Sequence, residues 1–194
     1  MRNLPFASRE CPRRTDSRCP DVPQILGLIQ ELADYEKESD AVEATIQTLS
    51  NTIAFAPSSS PSPSSPDAAN LPQTEPTAPH RPARCLLLIN PEGTAVGMAL
   101  YFYNYSTWRA RPGIYLEDLF VKPSERGKGY GKRLLVALAK EVVAMGGARL
   151  EWSVLKWNEP SIKFYESIGA VAMNEWVGMR VDRDGLGKLA HLLD

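Results

Sequence analysis

A glycine-rich, basic turn lies between an apolar segment and an amphipathic segment in the middle of the chain. Residues Ile114 to Lys122 are apolar and β-prone, as a buried strand would be, and Pro123 ends the run. Glycines let backbone N–H groups approach an anion closely, and the N-terminus of a following helix adds a partial positive charge. Strand, turn and helix together predict a pyrophosphate site. Its predicted residues are Arg126, Gly127, Lys128, Gly129, Tyr130, Gly131 and Lys132.

Two familiar phosphate-binding motifs do not match this turn. A dinucleotide-binding fold needs G-x-G-x-x-G and an acid about 20 residues further on, whereas the spacing here is R-x-x-G-x-G. A P-loop needs G-x-x-x-x-G-K-[ST], but Gly127 to Gly131 is one residue too short and Arg133 occupies the Ser/Thr position. Taken alone, the turn is also compatible with an ordinary solvated glycine turn.

A second motif follows the pattern N-x-x-S-x-x-F-Y-x-x-x-G, from Asn158 through Ser161 and Tyr165 to Gly169. Together with R-x-x-G-x-G after a strand that carries Glu117, it resembles the two coenzyme-binding blocks of the Gcn5-related N-acetyltransferase (GNAT) family. The resemblance implies an α/β fold, in which a mixed, mostly antiparallel sheet is flanked by helices and splayed to hold acetyl-coenzyme A.

Three shorter stretches resemble the diamine (spermidine/spermine) N-acetyltransferase branch more specifically. They are Glu31–Glu36, Tyr115–Asp118 and Trp157–Ser161. The resemblance covers roughly Asp21–Ser50 and Arg84–Val181. It implies coenzyme contacts beyond the turn. These are expected at Leu119, Phe120 and Val121 through their backbone, and at Asn158, Pro160 and Ser161.

Acetyl transfer to an amine requires proton movement at two places. An alkylammonium with a pKa near 10 is not a nucleophile at neutral pH, so it must lose a proton, and the departing thiolate must gain one. The resemblance assigns the first task to Glu117 and the second to Tyr165. The alternatives are a salt-bridged or solvated carboxylate and a packing tyrosine. The implied reaction is direct attack by the amine in a ternary complex, with no metal.

The implied acceptor is a small cationic amine, either a polyamine or a lysine-like amino acid, because carboxylates around the site attract a second ammonium. Aromatic faces also favour cationic amines. The expected substrate-binding residues are Tyr35, Glu36, Trp108, Glu117, Glu151, Trp152, Ser153 and Glu175. Two other functions fit the resemblance: a protein or peptide N-acetyltransferase, and a non-catalytic acyl-coenzyme A sensor. Retention of Glu117 and Tyr165 argues against the sensor.

The elements that position these residues follow from apolar periodicity and from turn residues. Ile25, Leu28 and Leu32 recur at helical spacing after Asp21, a suitable N-cap. The elements predicted around this helix and the central strand are a helix over Ala41–Leu49, a hairpin of Cys85–Ile89 and Thr94–Tyr105, a helix after the glycine turn, a strand over Arg149–Val154, a helix capped by Asn158 or Glu159, and strands over Ala170–Met173 and Trp176–Val181.

The length of 194 residues predicts one acetyltransferase domain over residues 21–194, preceded by a poorly defined segment at 1–20. Relatives begin with a strand, which only Leu4–Cys11 can supply here. Residues 57–82 contain eight of the chain's 16 prolines and a serine run. This composition predicts a disordered or poorly packed insertion inside the domain.

Charge and cysteine content restrict the partners and the compartment. A net charge of -1 argues against broad nucleic-acid binding, and the sequence contains no apolar run long enough to span a membrane. Three cysteines without a C-x-x-C pair predict reduced thiols and a cytoplasmic location. His80 and His191 lie far apart in sequence, so no metal site is predicted. The resemblance further implies a homodimer.

Overall fold

The structure is a computed structural model that describes residues 8–10, 12–13, 21–57, 71–72, 74–90 and 92–194. Of the predicted insertion, residues 58–70 and 73 therefore lie outside the described residues. The chain forms two compact units, Met1–Ser153 and Val154–Asp194.

The first unit is built on a five-stranded mixed sheet. Its helices and strands are β1 (Ser8–Glu10), β2 (Pro12–Arg13), α1 (Val22–Glu36), α2 (Ile46–Thr52), β3 (Ala56–Pro57), β4 (Arg84–Ile89), β5 (Ala95–Ser106), β6 (Arg111–Val121), α3 (Tyr130–Ala144) and β7 (Leu150–Trp152). The sheet order is β1-β4-β5-β6-β7, with β2 and β3 paired separately. The pairs β1–β4, β4–β5 and β5–β6 are antiparallel and β6–β7 is parallel, which confirms the predicted α/β class.

The long hairpin of β4 and β5 follows from its turn residues. Asn90 accepts a hydrogen bond of 2.8 Å from the Thr94 backbone N–H through its side-chain oxygen. Gly93 has a φ of 85°, which a residue with a side chain rarely adopts. Strand β1 forms one edge of the sheet and lies within the stretch Leu4–Cys11 from which a first strand was expected.

Helix α1 covers one face of the sheet through its apolar stripe. Val22, Ile25 and Leu28 are buried and belong to the main apolar cluster, which on the sheet side includes Met98 and Phe120. Side chains at this spacing share one helix face, so their burial fixes the rotation of α1 on the sheet. Lys122, directly after β6, donates a hydrogen bond to Glu31, so the C-terminal half of α1 lies close to the end of β6.

The second helix begins later than the sequence predicted. The prediction was Ala41–Leu49, but α2 starts at Ile46. Thr45 and Thr48 bond each other's backbone N–H through their hydroxyls, at 3.1 and 2.9 Å, and this reciprocal cap sets the helix start.

The opposite face of the sheet packs against α3. Leu134, Leu135 and Leu138 are buried there, as the helical spacing predicted. Glu141 lies on the same side and is only 3% exposed. The hydroxyls of Tyr101 and Tyr103 donate hydrogen bonds to its carboxylate, which satisfies a group that would otherwise destabilise the core.

Residues 74–82, the end of the predicted insertion, contact the rest of the first unit. Arg81 donates a hydrogen bond of 3.3 Å to the Ser50 carbonyl through Nη2. Arg84 donates one of 2.6 Å to Thr74 Oγ1 through Nε. Poor packing was expected from composition, but two arginines on either side of Pro82 hold this stretch in place.

The second unit contains two helices, α4 (Glu159–Ser167) and α5 (Arg183–Ala190). The prediction of strands over Ala170–Met173 and Trp176–Val181 is wrong, because no strand is formed between residues 170 and 182. The β-prone sequence there has no partner strand, and an isolated extended segment is not stable by itself. Helix α5 was not predicted. In the described parts of the chain, no helix has the length and apolarity needed to cross a membrane.

Candidate active site

Glu117 occupies a β-bulge in the central strand. Across β5 and β6, Asp118 is paired with Leu100 and Leu116 with Tyr101, so Glu117 has no partner residue on β5. An extra residue of this kind breaks the alternation of side chains and re-aims the side chain that it carries. The bulge explains how an exposed carboxylate can lie between two pairs of largely buried residues.

Three carboxylates from β6 and from the end of α1 lie within electrostatic reach of one another. Burial, together with smaller effects of the negative charges of Glu117 and Glu36, raises the pKa of Asp118 to about 6. Burial likewise raises the pKa of Glu36, with a smaller effect from Glu38. A cation placed among these groups would relieve both desolvation and repulsion. Sequence reasoning assigned no role to Asp118, and its only signal was the adjacency of two acids in a β-prone run.

The sheet opens beside this group. Strand β7 pairs with β6 only from Ile114 to Leu116, whereas β6 continues to Val121. Beyond Leu116, no described strand pairs with β6 on that side. This is the splay that the fold prediction required, and it leaves one edge of the strand open to a ligand.

Backbone register decides which groups face the open edge. The Lys122 N–H donates to the Val96 carbonyl at 2.9 Å, so hydrogen-bonded and non-hydrogen-bonded pairs alternate from there. Phe120 then pairs with Met98, while Leu119 and Val121 turn their N–H and C=O groups away from β5. Free backbone groups were expected at Leu119, Phe120 and Val121. Those of Leu119 and Val121 face the open edge, whereas those of Phe120 belong to the ladder with β5.

The glycine turn has the geometry of an anion site. Gly127 and Gly129 both have φ of 77°, and a Cβ added at either residue would meet no atom within 4 Å. Gly129 is the N-cap of α3, so the first N–H groups of that helix, at Tyr130, Gly131 and Lys132, lack intrahelical acceptors. Open space, uncapped N–H groups and basic side chains fit the pyrophosphate of acetyl-coenzyme A.

Arg126 does not extend over this turn. Its Nε donates a hydrogen bond of 3.1 Å to the Val121 carbonyl. Its guanidinium carbon lies 4.8 Å from the centroid of the Tyr35 ring and 5.9 Å from that of Phe120. The side chain thus folds back across the end of β6 towards the end of α1.

Two of the predicted substrate residues, Glu151 on β7 and Ser153 directly after it, make side-chain contacts, and the partners of Glu151 were not predicted. Asn104 donates a hydrogen bond of 2.6 Å to the Glu151 carboxylate, and Arg149 Nε lies 2.7 Å from the same carboxylate oxygen. The Ser153 and Tyr115 hydroxyls are 2.8 Å apart. Trp152 lies opposite Leu116 in the β6–β7 register.

The structure does not bring Trp108 together with Glu117 within one chain. Trp108 is 90% exposed in the turn between β5 and β6, beyond the Arg111 end of β6. Glu117 lies six residues further along that strand, roughly 20 Å at the rise of an extended chain. The aromatic residue closest in sequence to the carboxylates is instead Tyr35, at the end of α1.

In the second unit, the predicted N-cap is formed. Asn158 accepts a hydrogen bond of 3.4 Å from the Ser161 backbone N–H, and Pro160 stands in the first turn of α4. Tyr165 is half-buried on this helix, with its ring 5.3 Å from that of Phe164. Glu175 is exposed in the irregular stretch after α4.

Sequence comparison agrees with this geometry. A model of the acetyltransferase (GNAT) family matches residues 46–170, which include the splayed strand, the glycine turn and Tyr165. The chain belongs to the GNAT family. It is therefore an acetyl-transferring enzyme, and enzymes of the GNAT family use acetyl-coenzyme A.

Two curated relatives of this GNAT enzyme act on amino acids. L-ornithine N5-acetyltransferase NATA1 of Arabidopsis thaliana is 34% identical over 187 residues, covering 86% of this chain and 82% of the relative. Thialysine N-epsilon-acetyltransferase of Bos taurus is 33% identical over 174 residues, covering 88% and 92%. Among solved structures, an integron cassette protein from the mobile metagenome of V. cholerae superposes with a TM-score of 0.63 at 27% identity, covering 92% of this chain and 95% of the other.

Proposed function

We propose that this GNAT enzyme moves an acetyl group from acetyl-coenzyme A to a primary amine of a small cationic molecule, a lysine-like amino acid or a polyamine. The observation that carries the proposal is the group of carboxylates Glu36, Glu117 and Asp118 beside the open edge of β6. The names of the two relatives support an amino acid with a side-chain amine.

The residues that would hold the coenzyme lie along one path in the first unit. Backbone groups of Leu119 and Val121 suit the amide-containing arm, and the glycine turn with the start of α3 suits the pyrophosphate. Bound acetyl-coenzyme A supplies the activated thioester. A backbone N–H group on the open edge is the kind of donor that polarises a carbonyl oxygen.

The carboxylates would perform two tasks for the amine. Attraction among opposite charges holds the acceptor's second ammonium, and an ionised carboxylate accepts the proton that the reacting ammonium must lose. Glu117 is exposed and re-aimed by the bulge, which supports its role as the base. Glu36 is proposed to hold the second charge.

Tyr165 is proposed as the acid that protonates the departing thiolate. A phenol is a donor near neutral pH, and Tyr165 occupies the tyrosine position of the second motif. Asn158, Pro160 and Ser161 at the start of α4 are proposed as further coenzyme contacts, because they lie in the second coenzyme-binding motif.

Direct transfer between the two bound substrates is favoured over a cysteine-bound acetyl group. Cys85 is buried, and burial raises the pKa of its thiol, with smaller effects from Asp118 and Asp21. A buried neutral thiol is a poor nucleophile. Among the described residues, no group of three or more His, Cys, Asp or Glu side chains is arranged to hold a metal ion.

We also propose that the enzyme is a homodimer in the cytoplasm. The resemblance to the diamine branch supports the dimer, and the unpaired Cys85 thiol supports a reducing compartment. Analytical ultracentrifugation of the full chain measures the oligomeric state, and a monomer at all concentrations would contradict it.

The activity is tested by mixing the purified chain with acetyl-coenzyme A and single amines and by measuring free thiol. Ornithine, thialysine and spermidine should each release thiol and gain one acetyl group by mass spectrometry. Lysine-containing peptides test the alternative function, a protein or peptide N-acetyltransferase. Thiol release with peptides alone would overturn the proposal, and coenzyme binding without thiol release from any acceptor would indicate a sensor.

A further inference from the structure

One face of the sheet continues from the carboxylates of the proposed site to β7. Cross-strand partners share a face, and so do residues two positions apart on one strand. Asp118 is paired with Leu100 on β5, and Tyr115 is paired with Phe102, two residues further along β5. Glu151 is the partner of Tyr115 on β7. Asp118, Tyr115 and Glu151 therefore lie on the same face.

Side-chain contacts across this face agree with the register. The half-buried rings of Phe102 and Tyr115 stack with their centroids 5.2 Å apart. Asn104 donates a hydrogen bond of 2.6 Å to the Glu151 carboxylate across Gly113, its own partner on β6. A Cβ on Gly113 would lie 2.4 Å from Asn104 Oδ1, so a larger residue there would displace this contact. The two rings thus form the surface between Asp118 and the Asn104–Glu151 contact.

Arg149 brings a positive charge to the far end of this surface. Its Nε lies 2.7 Å from Glu151 Oε2, and its Nη2 donates a hydrogen bond of 3.3 Å to the Tyr105 carbonyl. A guanidinium carries N–H donors on all its nitrogens in a planar fork, so contacts through Nε and Nη2 leave donors on both terminal nitrogens. The side chain is 38% exposed, which keeps these donors within reach of a ligand.

The distance between the two ends of the surface suits a short acceptor. Tyr115, opposite Glu151, lies two residues before Glu117, roughly 7 Å along an extended strand. An α-amino acid with a side-chain amine carries its carboxylate at the end opposite to that amine. When the reacting amine lies beside Glu117, the carboxylate therefore extends towards Arg149. A long polyamine in the same position would bring a second ammonium towards the guanidinium.

We propose that Arg149 binds the α-carboxylate of the acceptor and thereby makes the enzyme select amino acids with a side-chain amine over polyamines. Glu151, itself held by Asn104, is a positioning residue that orients the guanidinium. A carboxylate gains a charge-assisted, often bidentate contact with the guanidinium, whereas an ammonium meets a like charge. This inference rests on the proposed function and narrows its substrate class.

The test compares ornithine with putrescine, the diamine that is ornithine without its carboxylate. The kcat/KM for each is measured with the full chain and acetyl-coenzyme A by release of free thiol. In the wild type, the ratio of kcat/KM for ornithine to that for putrescine should be about ten or more, as expected for one charge-assisted contact.

Two substitutions should remove this preference. In Arg149→Met, the ratio should fall to about one through a loss on ornithine, while kcat/KM for putrescine stays close to the wild-type value. Unchanged turnover of putrescine also shows that the variant is folded. The kcat/KM for spermidine should rise, because a like charge is removed. Arg149→Gln, which can still bond Glu151, should lose the ratio too and decides the test if Arg149→Met is unstable.

Arg109→Met is the matched control. Arg109 donates a hydrogen bond of 3.1 Å to the carbonyl of Ala148, the residue directly before Arg149, through Nη1. The substitution removes the same charge from the same neighbourhood, and the wild-type ratio should persist.

Three results would overturn the inference: a wild-type ratio near one, a wild-type ratio that persists in Arg149→Met or Arg149→Gln, or loss of the ratio in Arg109→Met. Equal losses on both acceptors in Arg149→Met belong to the second result, since they would mean that Arg149 only supports the sheet. Failure of the proposed function is distinguishable, because the wild type would then release no thiol with either amine.

Discussion

The Tyr101 hydroxyl donates a hydrogen bond of 2.8 Å to the buried carboxylate of Glu141, joining the centre of the sheet to α3. Tyr103 donates to the other carboxylate oxygen at 2.7 Å. Burial raises the pKa of Glu141, while the two hydrogen bonds and the charge of Arg84 act against that rise. Helix α3, which begins at the glycine turn, is therefore fixed near its C-terminus by a polar contact with the sheet.

Glu141→Ala should destabilise the chain markedly. It leaves the buried Tyr101 hydroxyl without this acceptor, at roughly 1–3 kcal/mol, and also removes the bond from Tyr103. Thermal unfolding followed by circular dichroism should show a lower Tm than wild type. The Tm of Glu141→Gln, which keeps one acceptor oxygen, should lie between the Tm values of wild type and Glu141→Ala. Equal Tm values for all three proteins would contradict this account of α3.

Asp118→Asn should stabilise the chain at neutral pH while lowering its activity. The folded-state pKa of Asp118 is about 6, above the ordinary value of 3.8, so ionisation costs the folded state about 3 kcal/mol. That cost is fully present above pH 6 and disappears as pH falls through the window from 6 to 4, where the folded state binds the extra proton first.

The Tm difference between Asp118→Asn and wild type should therefore be positive at pH 7.5 and close to zero near pH 3.5. Cys85→Ala is a useful control in the same region, because it removes no group that ionises in this range. A Tm difference that does not change with pH would show that Asp118 has an ordinary pKa.

Gly129→Glu should weaken coenzyme binding by well over tenfold. It places a negative charge where the pyrophosphate is proposed to lie, and the loss is on the scale of one charge-assisted contact. Gly129→Asn is the matched control, because asparagine tolerates the φ of 77° but brings no charge. Calorimetry on folded protein gives the Kd, and a value equal to wild type for Gly129→Glu would place the pyrophosphate elsewhere.

Tyr165→Phe should lower turnover roughly 10²-fold, the low end for loss of a general acid. Only the hydroxyl is removed, so the Kd of coenzyme A should stay close to the wild-type value. Full activity of the variant would make Tyr165 a packing residue of α4.

The predicted insertion should divide into a dispensable part and a required part. Replacing residues 58–70 with a short Gly/Ser bridge should leave Tm and activity nearly unchanged, because loop-closure cost depends weakly on length. Arg81→Met should lower Tm, since it removes the bonds from Arg81 to the Ser50 and Asn51 carbonyls. A drop in Tm for the bridge variant and none for Arg81→Met would reverse this division.

Elements fixed by local pattern were predictable from the sequence. The stripe that includes Ile25 and Leu28 predicted α1, and the spacing of Leu134 and Leu138 predicted α3. Features that depend on distant partners were not. The bulge at Glu117 follows from the register with β5, and the start of α2 follows from a reciprocal threonine cap.

Two further features depend on distant partners in the same way. Residues 170–181 have a strand-like composition, but a strand also needs a neighbour, which local sequence does not supply. The motif predicted the charge of Arg126 at the turn, but not its contact with Tyr35, since these residues are 91 positions apart in sequence.

The central claim is that this GNAT enzyme selects small amines with a second positive charge. It is tested most directly by kcat/KM for ornithine, thialysine, spermidine and an uncharged monoamine, in wild type and in Glu36→Gln, with Asp184→Asn, a position without an assigned role, as a control of the same charge change. The charged amines should lead in the wild type and in Asp184→Asn. Glu36→Gln should lose about tenfold on those amines and little on the uncharged one, as expected for one lost ionic contact. Equal kcat/KM for all four amines in the wild type, or a preference for the uncharged one, would contradict the claim.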